Sequence, residues 1–401
     1  MMIDELTFKY IEEHSGEDVH ALALRKFPAG VDARTALNQI AARQKMRKKV
    51  PLWAENSGVV YPGHLSVEQC SSQTTAGFKA QIVDSIAGGK GFTLVDLTGG
   101  MGVDCYFMSA KAGRAVYVER DSGLCRLAAH NFGVLGRKTE VVNSEAEEYL
   151  CGLSNDGADI IYLDPARRDA SGRKMVSLHD CSPDVTVLRD KLLEVAPDVL
   201  VKLSPMLDIS LAVSELDCVY RVYVVSVHSE CKELVIHLRR GYAGQYGIEC
   251  VDFGNGGYES RFVSSPEEEA GSVPVYANGV GQYLYEPCGA VMKAGLFRSV
   301  AVRFGVEKLH PNSHLYTSAV PVKHFPGRVF EEEEVLPFSK RETARISREL
   351  ACANIAVRNF PLTAEALRRK LGMKDGGEVY LFGTTLKEED KVLIVTRKYN
   401  G

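Results

Sequence analysis

Residues 95–104 read Val-Asp-Leu-Thr-Gly-Gly-Met-Gly-Val-Asp, and this stretch constrains the chain more than any other. The run 92–97 before it is short, apolar and rich in β-formers. The run 103–112 after it places Val103, Tyr106, Phe107 and Ala110 on one face at helical spacing, and Gly113 is set to stop it. Strand, glycine turn and helix together aim backbone N–H groups and a helix N-terminus at a ligand lying at the carboxyl end of a parallel sheet. Gly99, Gly100 and Gly102 suit the turn because a Cβ would block both the tight bend and the approach of the ligand.

Two nucleotide-type ligands compete for such a turn. A dinucleotide fold asks for Gly-x-Gly-x-x-Gly, but from Gly100 this chain reads Gly-Met-Gly-Val-Asp-Cys, with Cys105 where the third glycine belongs. Asp104 also puts a negative charge where a pyrophosphate would have to sit. A cofactor carrying an amino-acid moiety fits better, since a carboxylate can accept from its ammonium, and that selects S-adenosylmethionine. The next β-run, Arg114-Ala-Val-Tyr-Val, ends at Glu119, an acid placed to accept from both hydroxyls of a ribose. NAD enzymes use the same device, so Glu119 argues for an adenosine-type ligand without choosing between them.

On these residues the chain resembles the class I S-adenosylmethionine-dependent methyltransferases, with Thr98 where the commonest form has its first glycine. The resemblance spans about residues 66–240. It implies an α/β fold, a Rossmann-like seven-stranded methyltransferase sheet, and a cofactor held by Asp96, Thr98, Gly99, Gly100, Gly102, Asp104 and Glu119. It further implies adenine contacts from Asn143 and Ser144 at the end of the third strand; Ser144 and Glu147 also carry the Ser-x-x-Glu pattern of a capping box. A helix predicted over 76–87 covers the cofactor in this family, with Gln73, Thr74 and Thr75 able either to reach it or simply to cap the helix.

The second chemical motif is Asp159-Ile-Ile-Tyr-Leu-Asp-Pro-Ala-Arg-Arg-Asp, a buried strand with Asp164 and Pro165 at its tip. Family members that methylate exocyclic amines place Asn/Asp-Pro-Pro-aromatic there, so that an Asp or Asn side chain and a carbonyl near proline accept from the attacking NH₂. This chain keeps Asp-Pro but has Ala166-Arg167 in place of Pro-aromatic. Arg167 and Arg168 can hold a phosphate or stack on a base, or pair with Asp169 or Asp180. A helix is expected after Ser182-Pro183, with serine as cap, then a fifth strand over 199–203. The β-runs 220–227 and 233–238 supply the sixth and seventh strands.

The rest of the chain frames this domain. Residues 1–65 read as a helical N-terminal region, whose segment Arg43-Gln-Lys-Met-Arg-Lys-Lys is either a phosphate-facing patch or a helix end where cations suit the dipole. The methyltransferase domain is expected over 66–242. Glycines and Glu267-Glu-Glu mark a composition break over 241–271, read as a linker or an edge hairpin. Beyond it, Tyr283-Leu-Tyr-Glu-Pro-Cys-Gly and Arg358-Asn-Phe-Pro-Leu-Thr-Ala-Glu are similar to bacterial methyltransferases with a ferredoxin-like module, here 243–318, and a THUMP-like domain, here 319–401, together a C-terminal α+β region. True THUMP domains accompany RNA-modifying enzymes, so this resemblance implies an RNA substrate, tRNA or rRNA. Arg358, Arg368, Arg369 and Lys370 then form either a phosphate-contacting edge or a solvated helix end.

Net charge of −4 does not advertise a nucleic-acid binder, so such contacts must come from a local patch. Ten cysteines without a Cys-x-x-Cys pair, no secretory pattern and no run long enough to span a bilayer predict a cytoplasmic protein with reduced thiols and no membrane partner. His310 and His314 straddle Pro311, which argues against a shared zinc site, and no metal is expected. The expected reaction is methylation of an RNA base nitrogen. A methyltransferase acting on a protein or small molecule, and a non-catalytic RNA-binding protein with this fold, are the alternatives.

Overall fold

The computed structural model describes residues 3–89, 91–167, 178–255 and 257–399, and of Arg167 only the backbone. The N-terminal helices α1 (Glu5–His14) and α2 (Ala33–Lys49) begin at Asp4 and Asp32, whose carboxylates accept from Thr7 N–H and Thr35 N–H. Tyr10, Ile11, Ala36 and Ile40 pack between them. Three cations of the basic end of α2 are held by partners within the protein, while Arg47 and Lys48 are exposed. Arg43 is buried, pairs with Glu12 and donates to the Ser57 carbonyl; Lys45 pairs with Glu68, and Lys49 donates to the Val67 carbonyl.

The chain divides into two compact units, the first running to Tyr220 and taking back Val235–Gly244. Its centre is a parallel sheet of β1 (Thr93–Asp96), β2 (Arg114–Glu119), β3 (Glu140–Asn143), β4 (Ile160–Leu163) and β5 (Asp198–Leu203), in the order β3-β2-β1-β4-β5. The strand pairs are joined by α3 (Gln73–Ala87, leading into β1), α4 (Val103–Met108), α5 (Ser122–Val134), α6 (Ala146–Gly152) and α7 (Val185–Val195). Parallel strands need such crossovers, and covering helices bury the sheet on both faces, which is why β4 reads Ile-Ile-Tyr-Leu with every residue buried.

Two caps differ from expectation. α6 starts at Ala146 with Glu145 in the cap position, so no Ser144–Glu147 box forms and Ser144 reaches Glu148 instead. α7 is capped by Asp184, which accepts from Thr186 N–H, while Ser182 pairs with Ala166 in a short antiparallel ladder. At α7 a nearby acid takes the role that the local pattern gave to serine, whereas Glu145 stands at the cap of α6 without a side-chain capping bond.

The strands β6 (Val219–Val227) and β7 (Glu230–Arg239) each belong partly to both units. Within the second unit β6 pairs in parallel with β8 (Gly247–Gly254), and β8 pairs antiparallel with β9 (Gly257–Ser264). The glycine-rich break is therefore an edge hairpin laid beside a methyltransferase strand. A second sheet has the order β11-β12-β10-β13-β16-β15-β14, from β10 (Tyr283–Pro287), β11 (Glu307–Lys308), β12 (Tyr316–Ser318), β13 (Gly327–Pro337), β14 (Asn354–Arg358), β15 (Val379–Thr385) and β16 (Lys391–Lys398). Between β10 and β11 come two helices, α8 (Gly289–Ala294) and α9 (Phe297–Phe304), separated where Gly295 adopts φ +71°. One face of the second sheet buries Leu336, Leu381 and Leu393 against Ile346 of α10 (Lys340–Glu349) and Leu367 and Leu371 of α11 (Ala364–Leu371). The ten cysteines are free thiols, and among the described residues no helix is long and apolar enough to cross a membrane.

Candidate active site

The carboxyl ends of β1, β2 and β4 converge on the glycine loop. Gly100 and Gly102 take φ of +53° and +87°, which side chains resist. Gly99 has a different reason: a Cβ there would lie 2.1 Å from the Tyr117 ring. Tyr117 itself donates to the Gly100 carbonyl at 2.5 Å, so β2 clamps the loop from below. Glu119 clamps it from the side, one carboxylate oxygen accepting from Gly100 N–H at 2.9 Å and the other from Asp121 N–H at 2.8 Å. Each of those oxygens keeps a second lone pair.

Thr98 connects the loop to the second motif. Its hydroxyl accepts from the Asp164 backbone N–H at 2.6 Å, while its own N–H donates to Asp96 at 3.0 Å. A glycine at 98 could not make the first of these bonds. Asp96 is 1% exposed, and burial pushes its carboxyl well above the usual range, helped by the negative charges of Asp104, Asp164 and Glu119.

Asp104 opens α4 and is the hub of a buried network. Its Oδ2 accepts from Ser71 at 2.7 Å and from Tyr162 at 2.8 Å. The Lys79 ammonium lies 3.3 Å from Oδ1, a charge contact outside hydrogen-bond alignment, and 3.2 Å from the Ser71 hydroxyl. Burial alone would push the Asp104 carboxyl up, but Lys79, Lys202 and the two hydroxyls outweigh it and hold it below the usual carboxylate range. Lys202, at the tip of β5, then carries the network to the second motif: its ammonium is 2.5 Å from Asp164 and 3.9 Å from Asp104.

Of the residues picked out from sequence, Asp96, Thr98, Gly99, Gly100, Gly102, Asp104, Glu119, Asp164 and Pro165 thus share one end of one sheet. Asn143 holds the loop after β2, its amide donating to the carbonyls of Glu119 and Arg120 at 2.9 Å each, and Ser144 donates to the Glu145 carbonyl at 3.1 Å. Gln73 accepts from Leu52 N–H, and Thr75 bonds to Ser72, so both have local partners. Arg168 lies outside the described residues, and the Arg167 side chain is likewise not described. The arrangement adds two residues that pattern reading passed over, Lys79 and Lys202. The signal was a lone lysine in each of two apolar settings, the inward face of α3 and the buried run of β5.

This geometry is that of a nucleoside-binding α/β enzyme, and comparison with known proteins places it further. Residues 283–326 match a ferredoxin-like domain and residues 327–398 a THUMP domain-like family. A solved chain from Porphyromonas gingivalis W83, provisionally described as a methyltransferase, is 34% identical, covers 100% of both chains and superposes with a TM-score of 0.88. An uncharacterized S-adenosylmethionine-dependent methyltransferase of Mycobacterium tuberculosis H37Rv is 28% identical over 287 residues, 70% of this chain and 73% of that protein. The chain belongs to the class I S-adenosylmethionine-dependent methyltransferases that carry C-terminal ferredoxin-like and THUMP-like domains.

Proposed function

We propose that this methyltransferase acts on a base nitrogen of RNA, tRNA or rRNA, with Asp164 and Pro165 on the substrate side and the Gly99–Gly102 loop and Glu119 on the cofactor side. The site suits the family's cofactor. A cationic sulfonium ligand is compatible with a cleft edged by Glu119 and Asp164, whereas a pyrophosphate would meet those same carboxyls. The lone pairs left on Glu119 are placed for ribose hydroxyls, and Asn143 and Ser144 stand at the next strand tip, where adenine would lie. Asp104 enters as an anchor, since Oδ1 is buried and Oδ2 is occupied by two hydroxyls.

When bound, S-adenosylmethionine supplies an activated methyl group with a good leaving group, so the protein's part is alignment. Asp164 accepts from the attacking amine and turns its lone pair toward the methyl carbon. The proton released on nitrogen after transfer passes to that carboxylate and on to water. Lys202 fixes the carboxylate from one side and the Thr98 hydroxyl fixes the Asp164 backbone from the other. That double restraint is the observation carrying the reading.

The RNA assignment draws on the THUMP-like match. Methylation of a protein or small molecule is the second reading, favoured by the net charge of −4 and by the pairing of Arg43, Lys45 and Arg368 with acids. Mass spectrometry of nucleosides from total RNA separates the two. Cells lacking the gene should lose one methylated nucleoside, and wild-type protein should restore it, while Asp164→Ala and Lys202→Met should not. An unchanged nucleoside profile contradicts the RNA reading.

A further inference from the structure

We infer that Met206, just past the tip of β5, is the platform on which the target base lies while its nitrogen faces Asp164, so that the site takes a neutral, flat, conjugated amine and rejects an aliphatic ammonium. This rests on the proposal of an RNA base as substrate and adds which residue receives the ring. β4 and β5 run in parallel with Leu163 opposite Val201, and the Lys202 ammonium lies 2.5 Å from Asp164. The continuations of the two strands, Pro165-Ala166 and Leu203-Ser204-Pro205-Met206, therefore leave the sheet from neighbouring tips. The first brings a proline ring and a methyl to that end of the sheet, and the second brings a long thioether.

The turn after β5 is braced so as to hold that side chain out. Leu203 and Leu207 are buried on either side of it. The Leu207 N–H donates to the Ser204 carbonyl at 3.2 Å, and the Met206 N–H donates to the Ser204 hydroxyl at 3.3 Å. Asp208 then caps the helix Ile209–Ser214, accepting from Leu211 N–H at 2.9 Å. Met206 itself is 68% exposed. Single exposed apolar residues are ordinary on a surface, but this one stands on a fixed turn beside the carboxylate that the proposed reaction uses. Methionine is flexible and polarisable, and its sulfur makes favourable contacts with aromatic rings. A ring whose amine reaches Asp164 can lie across Met206 and remove from water the area now left there. The charges select the same ligand. Lys202 already pairs with the Asp164 carboxylate, so a nitrogen approaching that carboxylate also approaches an ammonium. A protonated alkylamine is repelled there, whereas an amine conjugated to a ring is uncharged near neutral pH and is not.

The test is methyl transfer from tritiated S-adenosylmethionine to total RNA taken from cells that lack the gene, using the full chain. It compares wild type, M206A, M206L and the control L24A, which trims an apolar side chain that is 90% exposed. M206A should raise the KM for RNA about tenfold and leave kcat within about twofold, the signature of a lost ground-state contact, while M206L, which keeps the apolar contact, should stay within about threefold of wild type. L24A should match wild type. Calorimetric affinity for S-adenosylmethionine and the melting temperature should be unchanged in all four proteins. A KM in M206A equal to that of wild type overturns the platform while sparing the RNA reading. Equal weakening in M206A and L24A, or in M206A and M206L, overturns it too, and so does a loss of cofactor affinity in M206A. Poly-L-lysine offered in place of RNA should take no label, and labelling of it overturns the rejection of an ammonium. No label in RNA with wild type overturns the RNA reading and the platform together.

Discussion

At the residue scale, the site is a balance of charges, three of them withdrawn from water and the fourth, Asp164, 38% exposed along its side chain. Asp104 and Asp164 face Lys79 and Lys202, so the network is internally compensated; removing any one of the four would leave an uncompensated partner, the costly way to break such a group. Among the described residues no cation is paired with Asp96. Its raised carboxyl means that the folded protein prefers it protonated. The stability that Asp96 contributes is therefore complete below the ordinary carboxylate range and is lost as pH rises through its elevated folded value. Asp104 has the opposite sign, with stability present above the ordinary range and lost only as pH falls below it. Asp96→Asn keeps an oxygen for the Thr98 N–H and removes the buried titration. Without cofactor, its melting temperature should exceed that of wild type at pH 8, and the gap should close as pH approaches 4. A gap that is absent at pH 8, or that widens in acid, contradicts the reading of Asp96 as a strained functional carboxyl.

At the element scale, the glycine loop is shaped as much by what lies beneath it as by the ligand above. Gly99→Ala forces a methyl into the Tyr117 ring, and Tyr117 cannot retreat while its hydroxyl is bonded to Gly100. Overpacking of this kind costs about 1–3 kcal/mol, which a thermal melt should read as a drop of roughly 2–12 °C, with loss of cofactor binding. An unchanged melt would mean that the loop is looser than its packing implies. The loop, the five parallel strands and their helices were legible because period and punctuation coincide: β-runs of 4–6 residues, each closed by a polar, glycine or proline residue. The destination of the hairpin β8–β9 was not legible. Alternation reveals a strand but not its neighbour, and β8 chose the edge of β6. The roles of Lys79 and Lys202 stayed hidden for a related reason, since a buried lysine is explained only by the acid that tertiary folding brings to it. Thr98, a departure from the family's commonest pattern when read in sequence, is accounted for by its bond to Asp164.

At the scale of the whole molecule, the chain joins a methyl-transfer sheet to two further α+β segments that match ferredoxin-like and THUMP-like domains. The proposed site lies at one end of the first sheet. The central claim is that the carboxyl ends of β1 and β2 hold the methyl donor, with Glu119 gripping its sugar. Isothermal titration of S-adenosylmethionine into wild type and Glu119→Ala reads this directly. The account predicts saturable one-to-one binding in wild type and at least about tenfold weaker binding in the variant, the loss expected for one or two hydrogen bonds to a charged acceptor. Equal affinity in the two proteins, or no heat with S-adenosylmethionine where NAD binds, would contradict it.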